Sequence, residues 1–279
     1  GNVEHNSILV RYSNDFSIWD LESVNHYKDQ TDIFFTCHEF SYNKIAEAYE
    51  PYLGLIRQMF HKYCSSTLEE FMEECDVYKL QRPVFESYFE KGFCERTEQI
   101  LIDEVEYEQE RMRNSIVTML QKLSEIRPVV IVLNRFQLAS KSTMQLSNSL
   151  LQVKNKNIGI VLGVNDVQSI PEFAHEEWDA ICESMDDRNM VYHIGNAGRN
   201  MEPDVMDYYS DYESDDGYRK LNNLVYFLDF DQANHHLSKI ERRIKFDNFT
   251  ISEKKHYQLL LLQIMVSVLQ RDIAKALES

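Results

Sequence analysis

The sequence predicts an α/β fold of three layers, in which a mainly parallel β-sheet lies between helices and a helical C-terminal extension follows. Two patterns predict it. Short runs of consecutive apolar residues have the composition of strands that are buried on both faces. These runs alternate along the chain with segments whose apolar residues recur at helical spacing. With 279 residues, 43% of them hydrophobic, the chain is long enough to bury one large core.

Six runs are predicted as strands because they are short, apolar and rich in β-branched or aromatic residues. The first four are each too apolar to leave one face in water, so we expect them side by side in one parallel sheet. In chain order the six runs are SILVRY (7–12), DIFFTC (32–37), VVIVL (129–133), NIGIVLGV (157–164), NMVYHIG (189–195) and LVYFLDF (224–230).

The segments around these runs carry helix signals. Pro51 marks the start of a helix or a break within one, and Pro128 follows the end of a long acidic helix. A Ser/Thr cap with Glu69 three residues after Ser66 predicts the beginning of a short helix. We therefore predict helical structure within 41–64, 65–75, 97–126, 142–153, 229–246 and 252–278.

Charge and composition exclude several classes of protein. The net charge of −17 disfavours direct binding to nucleic acid or to an anionic membrane, since both need a basic face. No segment approaches the roughly 18 apolar residues that a membrane span needs, and the first residues lack the charged region and apolar run expected of a signal peptide. Five cysteines without C-x-x-C spacing suit a reducing compartment. We expect a soluble, cytoplasmic protein.

The segment EPDVMDYYSDYESDDG (202–217) has seven acidic and no basic residues. Like charges at this density resist burial without partners, so we expect 204–216 to be exposed and weakly packed. A calcium site or a site for a basic partner is the alternative, although the spacing differs from that of an EF-hand loop.

Three further groups of residues resemble parts of functional sites. His235 and His236 lie near Asp229 and Asp231, as in some metal sites, but adjacent residues of a helix point about 100° apart and an Asp before a helix is more often its N-cap. The segment HIGNAGRN (193–200) has two glycines that could cradle an anion, but it lacks G-x-G-x-x-G spacing. No spacing pairs a cysteine with a histidine for thiol catalysis. We predict no catalytic residue and no metal ligand.

The order of elements resembles that of a P-loop nucleotide-binding fold. A strand, a loop, a helix, a second strand, further helices, a third strand and a polar-ended fourth strand follow one another. Residues 8–167, and more weakly the chain on to about 245, resemble the ATPase domain of the signal-transduction ATPases with numerous domains, an AAA+-related group common in bacterial regulators. The resemblance implies a P-loop-NTPase-like sheet.

The resemblance is carried by the stretch VVIVLNRFQLASKSTMQLSNSLL (129–151). In that family the third strand ends in two acidic residues, followed by an aliphatic residue, Gln or His, Trp, Ala, Asp, and a Ser or Thr that opens a helix. Upstream, FFTCHEF (34–40) and YEPYLGLIRQM (49–59) resemble the family's second strand with its Cys and its Tyr-x-Pro helix. The frame is kept at Gln137, Ala139, Ser142, Leu146, Leu150 and Leu151.

The residues that carry the family's chemistry are different in this chain. Asn134 and Arg135 stand where the family has two acidic residues, Leu138 where it has Trp, and Ser140 where it has Asp. A neutral amide is a poor magnesium ligand, and an arginine places a positive charge where the water-activating acid would lie. Asn165 occupies the position that resembles the family's sensor of the γ-phosphate, or it simply caps a strand-to-helix turn.

The loop after the first strand departs further from the family. A phosphate-binding loop needs glycines, a Lys and a Ser or Thr, as in G-x-x-x-x-G-K-[ST]. The corresponding stretch YSNDFSIWDLES (12–23), which includes Ser13 and Ser17, has neither Gly nor Lys. Trp19 would place bulk where phosphates lie. We therefore expect no nucleotide hydrolysis and no cofactor at the degenerate positions Ser13, Ser17, Trp19, Asn134, Arg135 and Asn165.

The functional hypothesis is a catalytically degenerate ATPase-like regulatory module of a larger bacterial signalling protein. The chain begins with Gly1 rather than Met, and we expect one domain of a longer polypeptide. Residues 1–245 would form the ATPase-like domain, and 246–279 a helical extension or the start of a following helical domain. Its partners would be other domains, other proteins or its own copies. Two alternatives stay open: a nucleotide-binding ATPase with an unconventional phosphate loop, and a small-molecule-sensing α/β scaffold.

Overall fold

The structure, a computed structural model, describes residues 7–12, 32–41, 44–94, 105–153, 155–165, 170–188, 190–194, 214–246 and 251–270. Its centre is a five-stranded sheet with the strand order β2-β3-β4-β1-β5, and every pair of neighbouring strands is parallel. The strands are β1 (Ser7–Tyr12), β2 (Phe34–Glu39), β3 (Val129–Asn134), β4 (Ile158–Asn165) and β5 (Val191–Ile194). The predicted α/β class and parallel sheet are confirmed.

Helices cover the sheet and continue after its last strand. Those within the described residues are α1 (Tyr52–Tyr63), α2 (Leu68–Glu74), α3 (Arg82–Lys91), α4 (Val105–Ile126), α5 (Lys141–Gln152), α6 (His175–Asp186), α7 (Asp215–Tyr226), α8 (Phe230–Phe246) and α9 (Glu253–Leu269). Two single turns of 3-10 helix, Phe136–Leu138 and Glu172–Ala174, follow β3 and precede α6. None of the helices in this described part of the chain is long and apolar enough to cross a membrane.

Local sequence signals explain where several helices begin. Helix α1 starts directly after Pro51, as one of the two expectations for that proline had it. Helix α2 begins with a capping box in which Thr67 and Glu70 exchange hydrogen bonds, one residue later than the predicted pair. Ser140 caps α5 by accepting a hydrogen bond from the amide of Thr143. A serine there serves the same capping purpose as an aspartate.

The sequence predicted a strand at 224–230. In the structure this run is instead the junction of α7 and α8. Helix α7 ends at Tyr226, Leu228 takes a left-handed conformation with φ 64°, and α8 begins at Phe230. The junction is buried on all sides, with Leu224 and Phe227 fully inaccessible. A short apolar run buried all round looks the same in sequence whether it is strand or helix, which explains the error.

The end of the segment 204–216 is exposed at Asp215 and Asp216, as expected, but it is helical and not a loosely packed loop. Ser214 caps α7 through the amide of Gly217, and Asp215 and Asp216 occupy the first turn of that helix. Acidic residues are favoured there by the helix dipole. The part of the segment before Ser214, and the anion-cradle candidate from 195 onward, lie outside the described residues.

An aromatic cluster joins the α7–α8 junction to α3 and to the loop before α1. The ring of Phe227 makes edge-on contacts with Tyr49, Phe85 and Tyr88 at centroid distances of 6.2, 5.8 and 5.6 Å. The α7–α8 junction thus packs against α3 and the loop before α1. The C-terminal helices are thereby fixed to the same core as the sheet.

Candidate functional site

The carboxyl ends of β1, β3 and β4 lie together at one edge of the sheet. After β1 the chain crosses to β2 at one end of the strand order, whereas after β4 it crosses in the opposite direction to β5 at the other end. In open α/β sheets, ligands bind at the carboxyl edge where the direction of winding reverses in this way. Tyr12, Asn134 and Asn165 are the last residues of these three strands, so this edge is the candidate site.

A hydrogen bond between β1 and β3 spans this edge. The Tyr12 hydroxyl donates to Oδ1 of Asn134 at 2.7 Å, although β4 lies between their strands. Both residues are buried. Burial raises the pKa of the Tyr12 phenol to about 12, and the nearby charge of Arg135 opposes that rise. The side-chain oxygen of Asn134 is therefore already engaged by a neutral donor.

Arg135 makes the turn out of β3. Its backbone is left-handed, with φ 53° and ψ 42°, and the 3-10 turn begins at the next residue. Its side chain turns toward the sheet edge, where Nε lies 3.3 Å from Oε1 of Glu39 at the end of β2. Both side chains are about two-fifths exposed, at 42% and 40%. Arg135 thus forms an ion pair between the ends of β3 and β2.

Three buried polar side chains after β3, those of Gln137, Ser140 and Ser142, hold neighbouring backbone in place. Gln137, which is fully buried, accepts a hydrogen bond from the amide of Asn165 at 3.3 Å. Ser142 accepts from the amide of Tyr49 at 3.2 Å, and Ser140 donates to the carbonyl of Glu47 at 2.9 Å. The segment 129–151 therefore fixes both β4 and the loop before α1.

A second cluster of polar groups, Glu47, Glu50, His38 and Asn223, adjoins the site. Glu47 Oε2 accepts from Nδ2 of Asn223 on α7 at 2.9 Å, and the Glu47 amide donates to Oε2 of Glu50 at 3.1 Å. Nε2 of His38 lies 3.5 Å from Oε1 of Glu50. Burial, with the charge of Glu50, raises the pKa of Glu47 to about 7. Burial, with the charge of Lys44, lowers the pKa of His38 to about 4.

Sequence reasoning missed this cluster and the role of Tyr12. Glu47 lies in the stretch IAEAYEP, within a segment that the sequence predicted to be helical. An acidic residue flanked by alanines among apolar residues indicates a buried carboxyl that needs a partner. Tyr12 ends an apolar strand, and a hydroxyl in that setting needs a partner. Neither pattern says which partner the fold supplies, because their partners lie far along the chain.

Asp229 caps two helices rather than forming a metal site. Its Oδ2 accepts from the amide of Ser142 at 3.0 Å and its Oδ1 from the amide of Gln232 at 3.3 Å. Burial raises its pKa, and these hydrogen bonds oppose the rise. His236 is engaged with Gln232 at 3.0 Å. Over the described ranges, no group of three or more His, Cys, Asp or Glu side chains is arranged to hold a metal ion.

Magnesium and ATP, which the family resemblance implies, do not fit the donor set at this edge. Magnesium prefers carboxylate oxygens, and the residue at the ligand position is an amide whose oxygen accepts from Tyr12. Beside it Arg135 brings a positive charge that would repel a divalent cation.

The structure brings together part of the predicted set of site residues. Asn134, Arg135 and Asn165 lie at the same sheet edge, whereas Ser13, Ser17 and Trp19 lie outside the described residues. The backbone amide of Asn165 is held by Gln137 within the end of β4. In comparisons with known proteins, no family model, no curated protein and no solved structure matches this chain.

Proposed function

We propose that this chain is a non-catalytic, ATPase-like regulatory module of a larger signalling protein, which acts by binding other domains or partner proteins. The observation that carries the proposal is the hydrogen bond between Tyr12 and Asn134. An ATPase would need a metal-binding carboxylate at this end of β3. Here the side chain is an amide, and its oxygen is bound by the Tyr12 hydroxyl. The proposal also draws on the family resemblance of residues 8–167.

The charges around that hydrogen bond support the proposal. Phosphoryl transfer depends almost entirely on holding the phosphates and on stabilising their charge, usually with a metal ion and cationic groups aimed at them. Here the cation beside Asn134 is Arg135, and its guanidinium is paired with Glu39. An ion pair of this kind closes the edge of the sheet instead of presenting a charge to a ligand.

The buried polar contacts behind the edge support a role in transmitting binding. Glu47 and Asn223 connect the loop before α1 to α7, and Asp229 connects α5 to α8. The loop before α1 and helix α5, which pack beside the sheet, are therefore joined to the C-terminal helices by buried and half-buried hydrogen bonds. A partner that binds the helices acts on the same packed unit as the degenerate site, which suits a module that relays the state of its neighbours.

Melting temperatures with and without ligands test the proposal. A ligand that binds only the folded protein raises its stability in proportion to the logarithm of the ligand concentration. We expect no change with millimolar magnesium-ATP or magnesium-ADP relative to magnesium chloride alone. A clear rise with nucleotide would contradict the proposal. A rise with members of a metabolite panel, but not with nucleotides, would favour the small-molecule scaffold instead.

A further inference from the structure

Helix α9 carries apolar residues on two different faces. The first stripe faces the body of the protein: Leu262 and Val266 are buried in the core, and Leu259, Met265 and Leu269 pack against it. This stripe accounts for the packing of α9 on α7 and α8. A single apolar stripe with polar residues opposite is what a surface helix needs, and α9 has more than that.

The second stripe of α9 is uncovered. Tyr257, Leu261 and Val268 are 59%, 53% and 55% exposed, and Ile264 between them is half-buried. Their successive spacings of four, three and four residues put all four on one face, and this is the spacing of a coiled-coil seam. Contiguous exposed apolar residues of this kind mark an interaction surface, whereas isolated ones need no explanation.

We propose that this stripe is a self-association surface, on which a second copy of the chain lays its own α9 in antiparallel orientation. Antiparallel pairing places Tyr257 opposite Val268 of the second copy, and Leu261 opposite its Ile264. Each contact then occurs twice about a twofold axis, as a symmetric dimer requires. The inference adds a surface to the proposed interaction module and does not depend on whether nucleotide binds.

The distribution of charge favours α9 as the contact between two copies. Each chain carries a net charge of −17, so most faces of two copies repel each other. From Tyr257 to Gln270 the helix has no Asp, Glu, Lys or Arg. In the antiparallel arrangement, the exposed Lys254 in the first turn lies beside the carboxyl end of the other helix, whose dipole is negative. Glu253 lies at the amino end of its own helix, where a carboxylate is favoured.

The size of the stripe sets the strength of the association. At about 1.5 Å per residue, α9 is roughly 25 Å long. A seam between two helices of this length falls below the range of about 1,200 to 2,000 Å² that stable complexes bury. The dimer is therefore expected to be weak and concentration-dependent, because the exposed part of the stripe is short.

Sedimentation velocity of the full chain tests the surface. We expect the parent to shift from monomer towards dimer between low micromolar and several hundred micromolar protein, and Leu261→Glu to stay monomeric. Leu80→Glu is the matched control, because Leu80 is 49% exposed outside α9 and the charge change is the same. It should associate like the parent. A parent that is monomeric throughout, or a Leu261→Glu variant that associates as the parent does, would overturn the proposal.

Crosslinking tests the orientation and remains informative if Leu261→Glu does not fold. In a Cys37→Ser background, which removes an exposed native thiol, Tyr257→Cys and Val268→Cys are prepared separately and mixed. The antiparallel arrangement predicts a disulfide dimer in the mixture at least tenfold more abundant than in either variant alone. Dimers that form equally well within each single variant would overturn the antiparallel proposal. Magnesium-ATP titrated into the same samples is a separate readout, so that failure of the dimer and failure of the proposed function are distinguishable.

Discussion

The hydroxyl of Tyr12 donates a 2.7 Å hydrogen bond to the side-chain oxygen of Asn134, across the strand that separates β1 from β3. Both side chains are buried, and without this contact the side-chain oxygen of Asn134 would lose its donor. The hydrogen bond links the carboxyl ends of β1 and β3 through two uncharged groups. The side-chain amide of Asn134 thus has a structural role at this end of the strands.

Tyr12→Phe is predicted to destabilise the protein by about 1 to 3 kcal/mol, because the buried oxygen of Asn134 loses its donor. Urea denaturation measures the change in the free energy of unfolding. Tyr192→Phe on β5 is the control, since Tyr192 is 54% exposed and its variant should lie within about 0.5 kcal/mol of the parent. In the double variant Tyr12→Phe/Asn134→Leu, the effects of the two changes should not add, because both remove the same bond. Additive effects would show that this bond does not couple the two residues.

Arg135 allows a separation of backbone strain from charge. Its left-handed backbone costs a non-glycine residue about 1 kcal/mol, whereas its ion pair with Glu39 is half-exposed and stabilises by at most about 1 kcal/mol. Arg135→Gly and Arg135→Ala both remove the ion pair, but only glycine relieves the backbone. Arg135→Gly should therefore be more stable than Arg135→Ala by about 1 kcal/mol in chemical denaturation. Equal stabilities would mean that the turn does not require the left-handed conformation.

Asp229→Ala is predicted to cost at least about 2 kcal/mol, because the buried amides of Ser142 and Gln232 both lose their acceptor. Asp229→Asn should cost less, since the amide keeps one acceptor oxygen and removes a buried charge. Asp231→Ala is the neighbouring control. The Asp231 side chain is 45% exposed and pairs with Lys141 at the surface, so its loss should cost less than about 1 kcal/mol. Thermal and urea unfolding of the three variants measure these losses. Equal losses of stability in Asp229→Ala and Asp231→Ala would contradict the capping role.

Glu47 should make stability depend on pH near neutrality. Its pKa in the folded protein, about 7, lies above the ordinary value of 4.5, so the fold favours the protonated carboxyl. That stabilisation is fully present below pH 4.5 and is lost as the pH rises through 7. Glu47→Gln keeps an acceptor for Asn223 and removes the ionisation. The variant should exceed the parent in free energy of unfolding at pH 8, by on the order of 3 kcal/mol, and approach it near pH 5.

The groups that face Glu47 define the control for this pH series. They are Glu50 on its own loop, Lys220 and Asp216 on α7, and the amide of Asn223. Glu86→Gln, an exposed position on α3, should leave the pH profile of the parent unchanged. A Glu47→Gln variant whose stability advantage does not vary between pH 5 and pH 8 would show that Glu47 is ionised in the fold at both values.

Features that depend on neighbouring residues in the sequence could be predicted, whereas contacts between residues far apart in the sequence could not. Strands β1, β3 and β4 were predictable because a parallel sheet buried on both faces demands consecutive apolar residues, which is a local pattern. The α7–α8 junction was misassigned because burial on all sides removes the periodicity that separates helix from strand. The position of Asn134 at the sheet edge followed from the end of its strand. Its partner Tyr12 did not, since that contact joins residues 122 positions apart.

The same limit applies to Glu47 and Asp229. Asp229 was expected to cap the helix that follows it, and it does so through Gln232. Its second bond, to the amide of Ser142, joins residues 87 positions apart and could be seen only in the fold. Glu47 meets Asn223 in the same way, across 176 positions. Local rules place a side chain on its element, whereas tertiary packing decides what it binds.

Calorimetric titration of magnesium-ATP into the parent and into the double variant Asn134→Asp/Arg135→Asp tests the central claim most directly. The variant places two acidic residues at the end of β3, but the stretch 13–19 still has neither the glycines nor the Lys that hold phosphates. We expect both proteins to fold and neither to release binding heat or hydrolyse ATP at millimolar nucleotide. Saturable binding or turnover in either protein would contradict the account of a non-catalytic module and favour an ATPase with an unconventional phosphate loop.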